Sequence, residues 1–195
     1  MQDDTTVSAI VGLATADDMV RAGEIVGGQL VAGDVLVLTG PLGAGKTTFA
    51  RGLGTALGVR GPVTSPTFVL ARTHPSLVDG PELIHVDAYR LGHPAELDDL
   101  GLDLAASVTV VEWGRDAVPL VTDRWLEITI DRSTASFPAA PEAERPRSEG
   151  PPDDDADDEP LDPRRLTLGV HGAWDRPVGE SLGSALRTEF GAPAA

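Results

Sequence analysis

The sequence contains no cysteine, a single lysine and few aromatic residues, and it has no long apolar run. Without cysteine there is no disulfide framework and no thiolate metal site. No stretch approaches the roughly 20 apolar residues that a helix needs to cross a bilayer. The acidic, polar N-terminal stretch MQDDTTVSAI lacks the features of a targeting peptide. We therefore expect a cytoplasmic protein that makes no membrane contact.

Positive charge is also scarce. The 195 residues include 31 acids and 15 basic residues, which gives a formal net charge of −16. This balance argues against extensive direct contact with nucleic acid, which needs a broad basic surface. About half of the excess lies in residues 142–162, where the sequence has ten acids and two arginines. A role in a nucleic-acid pathway would therefore depend on a protein partner.

The length and the 41% apolar content suit a single domain over residues 1–195. Within it, residues 133–163 are rich in Pro, Ala and acids without a hydrophobic period, which predicts a disordered acidic insertion. The flanking segments RWLEITID (124–131) and RRLTLGVH (164–171) alternate like half-buried strands, and we predict that they pair as antiparallel neighbours. A linker between two domains is the weaker alternative, because roughly 30 residues are too few for an independent core.

The rest of the chain alternates between predicted helices and strands. Thr15 is a candidate N-cap for a helix over TADDMVRAGEIVGGQL. Further helices are predicted at KTTFARGLGTAL, at SLGSALRTEF and, with proline near its start, at HPAELDDLGL. Strands are predicted at DVLVLTG, TFVLART, ELIHVDAY and SVTVVEW, of which the first has the continuous apolar pattern of a strand buried on both faces. This order predicts an α/β fold, a three-layer sandwich around a mixed, mainly parallel sheet.

The single lysine, Lys46, lies in GPLGAGKT (40–47), which matches the phosphate-loop pattern G-x-x-x-x-G-K-[ST] at every fixed position. Because the segment joins a predicted strand to a predicted helix, we expect a fold of the P-loop NTPase type. Glycines let backbone N–H groups surround a phosphate, and the helix N-terminus adds positive potential. A lysine ammonium reaches phosphate oxygens as a compact point charge, whereas a planar guanidinium does not fit this cradle. The predicted nucleotide-binding residues are Gly40, Leu42, Gly43, Ala44, Gly45, Lys46, Thr47 and Thr48.

A magnesium site is predicted from Thr47 and from an acid at the end of an apolar strand. The hydroxyl at the last loop position would bind Mg²⁺ beside the phosphates. Two acids, Asp87 in ELIHVDAYRL and Glu112 in VTVVEWG, have the required position. Glu112 ends the more uniformly apolar strand, so we assign it to the Mg²⁺ site and assign Asp87 to orienting the attacking water. The alternative for either acid is a solvated strand end.

Other residues indicate which base the nucleotide carries and whether histidine or tryptophan belongs to the site. No second lysine is present to build an [NT]-K-x-D element for guanine, which disfavours a Ras-like GTPase and favours adenine or an unspecific base pocket. His85 and His93 are too far apart to form a metal site, and we expect hydrogen-bonding or surface roles for them. Trp113 is interpreted as a packing residue and not as a base-stacking platform.

Four motifs together resemble the TsaE/YjeE ATPases, bacterial proteins needed for threonylcarbamoyladenosine synthesis on tRNA. The motifs are GPLGAGKTTFARGL, SPTF, HVDAYRL and EWG, in the order and spacing of that family. The resemblance covers roughly residues 8–131. It implies ATP binding and slow hydrolysis in complex with the TsaD–TsaB modification enzyme.

The resemblance also carries over to individual positions. It implies Mg²⁺ binding at Thr47 and Glu112 and makes Asp87 the counterpart of the family's aspartate. SPTF lies where P-loop proteins have a first switch, so Thr67 is a candidate sensor of the γ-phosphate. Two features depart from the pattern: Pro41 occupies a position where the family usually has aspartate, and no family motif explains the acidic insertion.

Two alternative functions remain open at this point, a small-molecule P-loop kinase and a nucleotide-sensing module without turnover. A kinase needs a cationic lid for its acceptor, and the arginines after the phosphate loop are scattered. Arg90 is a candidate internal arginine finger, although its position at a strand end also suits an ion pair.

Overall fold

The computed structural model describes residues 5–66, 69–132 and 163–191. In chain order the helices and strands are β1 (Thr6–Leu13), α1 (Ala16–Gly27), β2 (Val35–Thr39), α2 (Lys46–Ala56), β3 (Ala71–His74), β4 (Glu82–Asp87), α3 (Glu96–Asp99), β5 (Ser107–Glu112), β6 (Trp125–Arg132), β7 (Arg164–His171) and α4 (Val178–Phe190). Short 3-10 helices, Ala88–Arg90 and Val118–Leu120, follow β4 and β5.

The strands form one mixed sheet in the order β1-β7-β6-β2-β5-β4-β3. The four central strands, β6, β2, β5 and β4, run parallel, whereas β1, β7 and β3 pair antiparallel at the two sides. Leu38 and Asp87 are both in register with Glu112. Strands β2, β4 and β5 therefore end together, at what we call the carboxyl edge of the sheet.

Helices cover the sheet unequally on its two faces, which confirms the predicted three layers. The larger core joins one face of the sheet to α1, α2 and α4, with Phe49 and Leu53 of α2 fully buried. The smaller core joins the other face to α3 and the second 3-10 helix, through Leu97 and Val118. Because side chains alternate along a strand, β2 sends Leu36 and Leu38 to the first core and Val35 and Val37 to the second.

Helix α1 begins where the sequence predicts it. Thr15 is its N-cap and accepts from the Asp18 backbone N–H, while the Asp18 carboxylate accepts from the Thr15 N–H. This reciprocal capping box satisfies two backbone donors that have no partner within the helix.

Helices α1 and α2 approach each other through glycine. A Cβ on Gly23 of α1 would lie 2.1 Å from the Phe49 carbonyl oxygen, and a Cβ on Gly52 of α2 would lie 2.0 Å from the Val20 carbonyl oxygen. Glycine in a helix costs about 1 kcal/mol relative to alanine. The close contact of the two backbones explains why α2 keeps a residue that weakens it.

The strands β6 and β7 confirm the antiparallel pair predicted around the acidic segment. Their register runs from Trp125 opposite His171 to Arg132 opposite Arg164. The predicted disordered insertion lies outside the described residues except for Pro163. The assignment of one domain to the whole chain stays a prediction.

Two elements differ from the expectations. Strand β1 is an additional edge strand within a stretch for which no strand is predicted. Strand β3 begins at Ala71, so the predicted strand at TFVLART is wrong over Val69 and Leu70. Leu70 has a φ of +63° and therefore cannot continue an extended strand, and Val69 donates to the Pro66 carbonyl in a turn.

In the described residues no helix is long and apolar enough to span a bilayer.

Candidate functional site

The loop between β2 and α2 has three glycines with a positive φ, and at two of them a side chain would also meet neighbouring atoms. Gly40 has a φ of +152° and Gly45 a φ of +104°. A Cβ on Gly40 would lie 2.4 Å from the Ile130 carbonyl oxygen, and one on Gly45 would meet the Met19 side chain at 3.1 Å. Side chains at these positions would strain the backbone or displace its neighbours. The loop thus brings bare backbone to the carboxyl edge of the sheet.

The N-terminus of α2 is left open to an anion. Its N-cap, Gly45, makes no side-chain capping bond, and the first turn contains no acid. Helix α1 differs in both respects, because it has the Thr15 capping box and the acids Asp17 and Asp18 in its first turn. Uncapped N–H groups and the positive end of the helix dipole favour a bound phosphate.

Lys46 lies at this N-terminus and is buried. Its Nζ donates to the carbonyl oxygens of Gly40 at 2.9 Å and Pro41 at 3.1 Å, and it lies 4.2 Å from the centroid of the Trp113 ring. Burial lowers the pKa of the ammonium below its ordinary value of 10.5, while the charges of Glu112 and Asp87 act in the opposite direction. The only lysine of the chain therefore reaches back over the loop.

Trp113, directly after β5, turns the chain so that its ring faces the loop. It has a φ of +61°, which is strained for a bulky residue, and its N–H donates to the Leu38 carbonyl at 3.0 Å. The ring packs against Lys46 and lies 5.8 Å from the Tyr89 ring. Trp113 makes packing contacts, as expected, yet 38% of it stays exposed.

Glu112 ends β5 and is 5% exposed. Its Oε1 accepts from His85 Nε2 at 3.0 Å, and the Thr47 hydroxyl lies 3.5 Å from the same oxygen. The strand end therefore brings the carboxylate to the hydroxyl at the start of α2. His85 has a hydrogen-bonding role, as the sequence indicates, and its partner is Glu112.

Asp87 lies beside Glu112 in the parallel register and is equally buried. Its carboxylate accepts from the Tyr89 N–H at 3.1 Å, and its own N–H donates to the Leu70 carbonyl. The carboxylate thus caps the 3-10 helix that follows β4. It is close enough to Lys46 to affect the pKa of the ammonium.

The other predicted site residues lie along the loop or outside the described part of the chain. Leu42 is 91% exposed and Ala44 is buried. Thr48 lies in the first turn of α2 and Arg90 is exposed at the end of the 3-10 helix. Thr67, the predicted γ-phosphate sensor, is outside the described residues.

A second polar cluster, which sequence reasoning missed, lies on the opposite face of the sheet. Glu127 of β6 is buried and accepts from the Thr39 hydroxyl at 3.2 Å and from Arg115 Nε at 2.9 Å. Its other oxygen lies 3.0 Å from His171 Nε2, and the His171 ring stacks on Trp125. The cluster ties the residue before the phosphate loop to the segment after Trp113. In the sequence, the indication of this cluster is Glu127, the single acid within the alternating stretch WLEITI.

The oxygen donors at the carboxyl edge fit magnesium. Mg²⁺ prefers hard oxygen ligands and is usually bound through one or two protein groups together with substrate phosphates. Thr47 and Glu112 supply a hydroxyl and a carboxylate in contact, next to a loop that can hold phosphates. In the described residues, no group of three or more His, Asp or Glu could hold a metal ion by itself, so a cation here would depend on the phosphates for further ligands.

Comparison with known proteins gives consistent matches. The family model described as "Threonylcarbamoyl adenosine biosynthesis protein TsaE" matches residues 13–139. A protein of Streptomyces coelicolor named "tRNA threonylcarbamoyladenosine biosynthesis protein TsaE" is 62% identical over 107 residues, which cover 53% of this chain and 72% of that protein. A protein of the same name from Mycobacterium tuberculosis is 47% identical over 133 residues, covering 64% of this chain and 79% of that protein.

A solved structure also matches along almost the whole chain. The crystal structure of Bacillus subtilis YdiB superposes with a TM-score of 0.63 at 25% sequence identity. The match covers 94% of this chain and 97% of that one. The similarity therefore includes the arrangement of the sheet as well as local motifs.

Proposed function

The chain belongs to the TsaE family of threonylcarbamoyl adenosine biosynthesis proteins, and we propose that it serves this pathway as a Mg²⁺-dependent ATPase. In this proposal the chain binds ATP, hydrolyses it slowly alone, and works with the TsaD–TsaB tRNA-modification complex. The family membership supports the role in making threonylcarbamoyladenosine for tRNA. The ATPase step and the partner are our proposals.

One observation carries the ATPase proposal: Lys46, Thr47 and Glu112 meet at the uncapped N-terminus of α2. A helix N-terminus with a flexible ammonium and an open loop suits a polyphosphate. A hydroxyl in contact with a buried carboxylate suits the cation that accompanies it. Together they support the binding of a Mg²⁺–nucleotide complex in preference to a simple anion.

Each residue then has a proposed role. Lys46 would leave the carbonyls of its own loop for the β- and γ-phosphate oxygens, and the N–H groups at the start of α2 would hold the phosphates. Thr47 and Glu112 would hold Mg²⁺, which when bound neutralises negative charge on the β- and γ-phosphates. Asp87 lies beside Glu112 at the same edge, and we assign it to orienting the attacking water.

A protein partner is supported by the charge and the exposed surface of the site. The net charge of −16 opposes extensive contact with tRNA itself. Leu42 and Tyr89, at the border of the site, are 91% and 74% exposed, and such apolar side chains suit contact with another protein. The arginines after the phosphate loop are scattered along the sequence. A partner could supply a catalytic arginine, which contributes about 10³–10⁵-fold in other P-loop enzymes.

Phosphate release tests this function. The chain alone is expected to release phosphate from ATP near the background rate, and purified TsaD and TsaB from the same organism should raise the rate strongly. Lys46→Ala should abolish the rise while leaving the fold intact by circular dichroism. Fast hydrolysis by the chain alone that TsaD and TsaB leave unchanged would refute partner stimulation. Transfer of phosphate to a small-molecule acceptor instead of water would identify a kinase.

A further inference from the structure

We propose that His85 is a positioning residue for the Glu112 carboxylate, an inference that rests on the proposed function of the site. His85 Nε2 lies 3.0 Å from Glu112 Oε1, and the His85 side chain is completely buried. The Thr47 hydroxyl approaches that same oxygen. His85 therefore contacts one of the two groups assigned to Mg²⁺, the Glu112 carboxylate, which in turn contacts the other, Thr47. His85 itself is not assigned as a Mg²⁺ ligand.

The surroundings of His85 decide which ring nitrogen carries the proton. Its Nδ1 is buried and has no hydrogen-bond partner among the described residues. A proton on Nδ1 would be a buried donor without an acceptor, which is unfavourable because the donor loses its hydrogen bond to water. The hydrogen-bond network therefore assigns the proton to Nε2, which donates to Glu112. In this form the ring acts as a fixed donor.

The parallel register makes this contact possible. Asp87 lies directly beside Glu112, and His85, two residues earlier on β4, is on the same face of the sheet. The ring of His85 is long enough to reach diagonally to the carboxylate at the end of β5. Strand β4 therefore contributes two residues to the site: an acid beside Glu112 and a donor beneath it.

A directed donor matters because Mg²⁺ demands near-ideal octahedral geometry. Both contacts of Glu112, with His85 and with Thr47, fall on Oε1, whereas Oε2 makes no hydrogen bond to any described residue. The bond from His85 fixes the rotation of the carboxylate before the cation arrives. Partners of this kind, which hold a ligand without touching the metal, typically contribute about 10–100-fold to metal affinity.

Calorimetry of a non-hydrolysable ATP analogue tests the inference. The affinity is measured in saturating Mg²⁺ and in EDTA, and the ratio of the two affinities reports the metal site separately from turnover. His85→Asn should lower the ratio about tenfold or more, because its amide nitrogen lies at the level of Nδ1 and cannot reach Glu112. His85→Gln should recover most of the ratio, since its amide nitrogen is as many bonds from the backbone as Nε2. Affinity in EDTA should stay within about twofold for both variants.

His74 provides a matched control on the neighbouring strand. It is also buried with an unpartnered Nε2 in the described structure, but it makes no hydrogen bond to Glu112 there. His74→Asn should therefore leave the Mg²⁺ ratio unchanged, even where it lowers the melting temperature. In a Glu112→Gln background, His85→Asn should lower the ratio no further, because the acceptor charge is already gone.

Three outcomes would overturn the inference. The first is a wild-type ratio of Mg²⁺ to EDTA affinity in His85→Asn. The second is a ratio in His85→Gln as low as in His85→Asn, with both variants melting cooperatively. Either result would refute positioning by His85 and leave the proposed function standing. A wild-type chain that binds the analogue equally well with Mg²⁺ and with EDTA would refute the proposed metal site and this inference with it. The two failures are therefore distinguishable in one set of titrations.

Discussion

The Lys46 ammonium rests on the face of the Trp113 indole, with Nζ 4.2 Å from the ring centroid. Phosphate oxygens would compete for the same ammonium, so nucleotide binding is expected to take the cation off the ring. A partly exposed cation–π contact is worth about 0.5–1 kcal/mol. Trp113→Leu, which removes this competitor, should strengthen binding of an ATP analogue about twofold to fivefold in calorimetry. Weaker binding would mean that the indole contacts the bound nucleotide.

Tryptophan fluorescence should report the same event. The analogue is expected to change the emission of the wild-type chain because it alters the surroundings of Trp113. Trp113→Phe should remove that change, while Trp125 and Trp174 supply a constant background. An emission change of equal size in Trp113→Phe would show that the analogue alters the surroundings of Trp125 or Trp174 instead.

The single lysine allows its pKa to be measured without overlap. With carbon-13 at lysine Cε, one resonance should titrate with a pKa below 10.5, because burial disfavours the ammonium. Nucleotide should raise that pKa, since phosphates favour the charged form. The unfolded chain binds more protons between the folded-state pKa and 10.5, so the free energy of unfolding should increase with pH in that window. This contribution is lost as the pH falls through the folded-state pKa. A resonance titrating above 10.5 in the free protein would contradict the effect of burial.

The two acids at the carboxyl edge should have separable effects. Glu112→Gln should weaken Mg²⁺-dependent nucleotide binding, because a neutral amide attracts the cation less. Asp87→Asn keeps an oxygen that can accept from the Tyr89 N–H, so Mg²⁺–nucleotide affinity should stay within about twofold. Its partner-stimulated turnover should fall by about 10² or more, as for loss of a group needed mainly in the transition state. Calorimetry and phosphate release distinguish the two, and the opposite pattern would exchange the assignments.

The Glu127 cluster should respond asymmetrically to mutation. Glu127 is 5% exposed, whereas the Arg115 side chain is 63% exposed. Arg115→Met leaves a buried carboxylate without its cation and should lower the free energy of unfolding by about 3 kcal/mol. Glu127→Gln leaves an arginine that water can solvate and should cost about 1 kcal/mol. Urea unfolding measures both, with Glu24→Ala, in an exposed pair with Arg21, as a control expected to cost under about 1 kcal/mol. The reverse order would show that Arg115 is not the main partner.

Shortening the acidic segment should stabilise the chain. Arg132 and Arg164 face each other in the β6–β7 register, so a short turn can join the strands there. Replacing residues 136–160 with a two-residue turn reduces the connection from about 30 residues to about 8, which should add roughly 1 kcal/mol of stability. Binding of the ATP analogue should be preserved. Loss of the fold on deletion would show that the segment packs.

The phosphate loop and the strand ends could be predicted because their signals are local. Glycines, a lysine and a threonine at fixed spacing give the loop, and an acid after an apolar run gives the position of Glu112. The antiparallel pairing of β6 with β7 follows from their alternation. Strand β1 was missed because it lies at an edge, where the apolar residues Val7 and Ile10 are exposed and obscure the alternation.

Contacts that depend on register or on unusual backbone could not be predicted. His85 reaches Glu112 only because β4 and β5 pair in parallel with Asp87 beside Glu112. Trp113 reaches Lys46 through a left-handed φ, which nothing in the letters EWG requires. Glu127 needs partners from β2, from β7 and from the segment after β5.

The glycine contact between α1 and α2 limits how far these two helices can move relative to each other. Where Gly23 and Gly52 bring the two backbones together, no layer of side chains remains that could repack as one helix slides along the other. Helix α2 is therefore closely packed against α1, and the phosphates of the proposed function would bind at its N-terminus. For the proposed function, we expect differences between ATP-bound and ADP-bound forms in the chain after β4 and after β5, where Tyr89 and Trp113 are exposed.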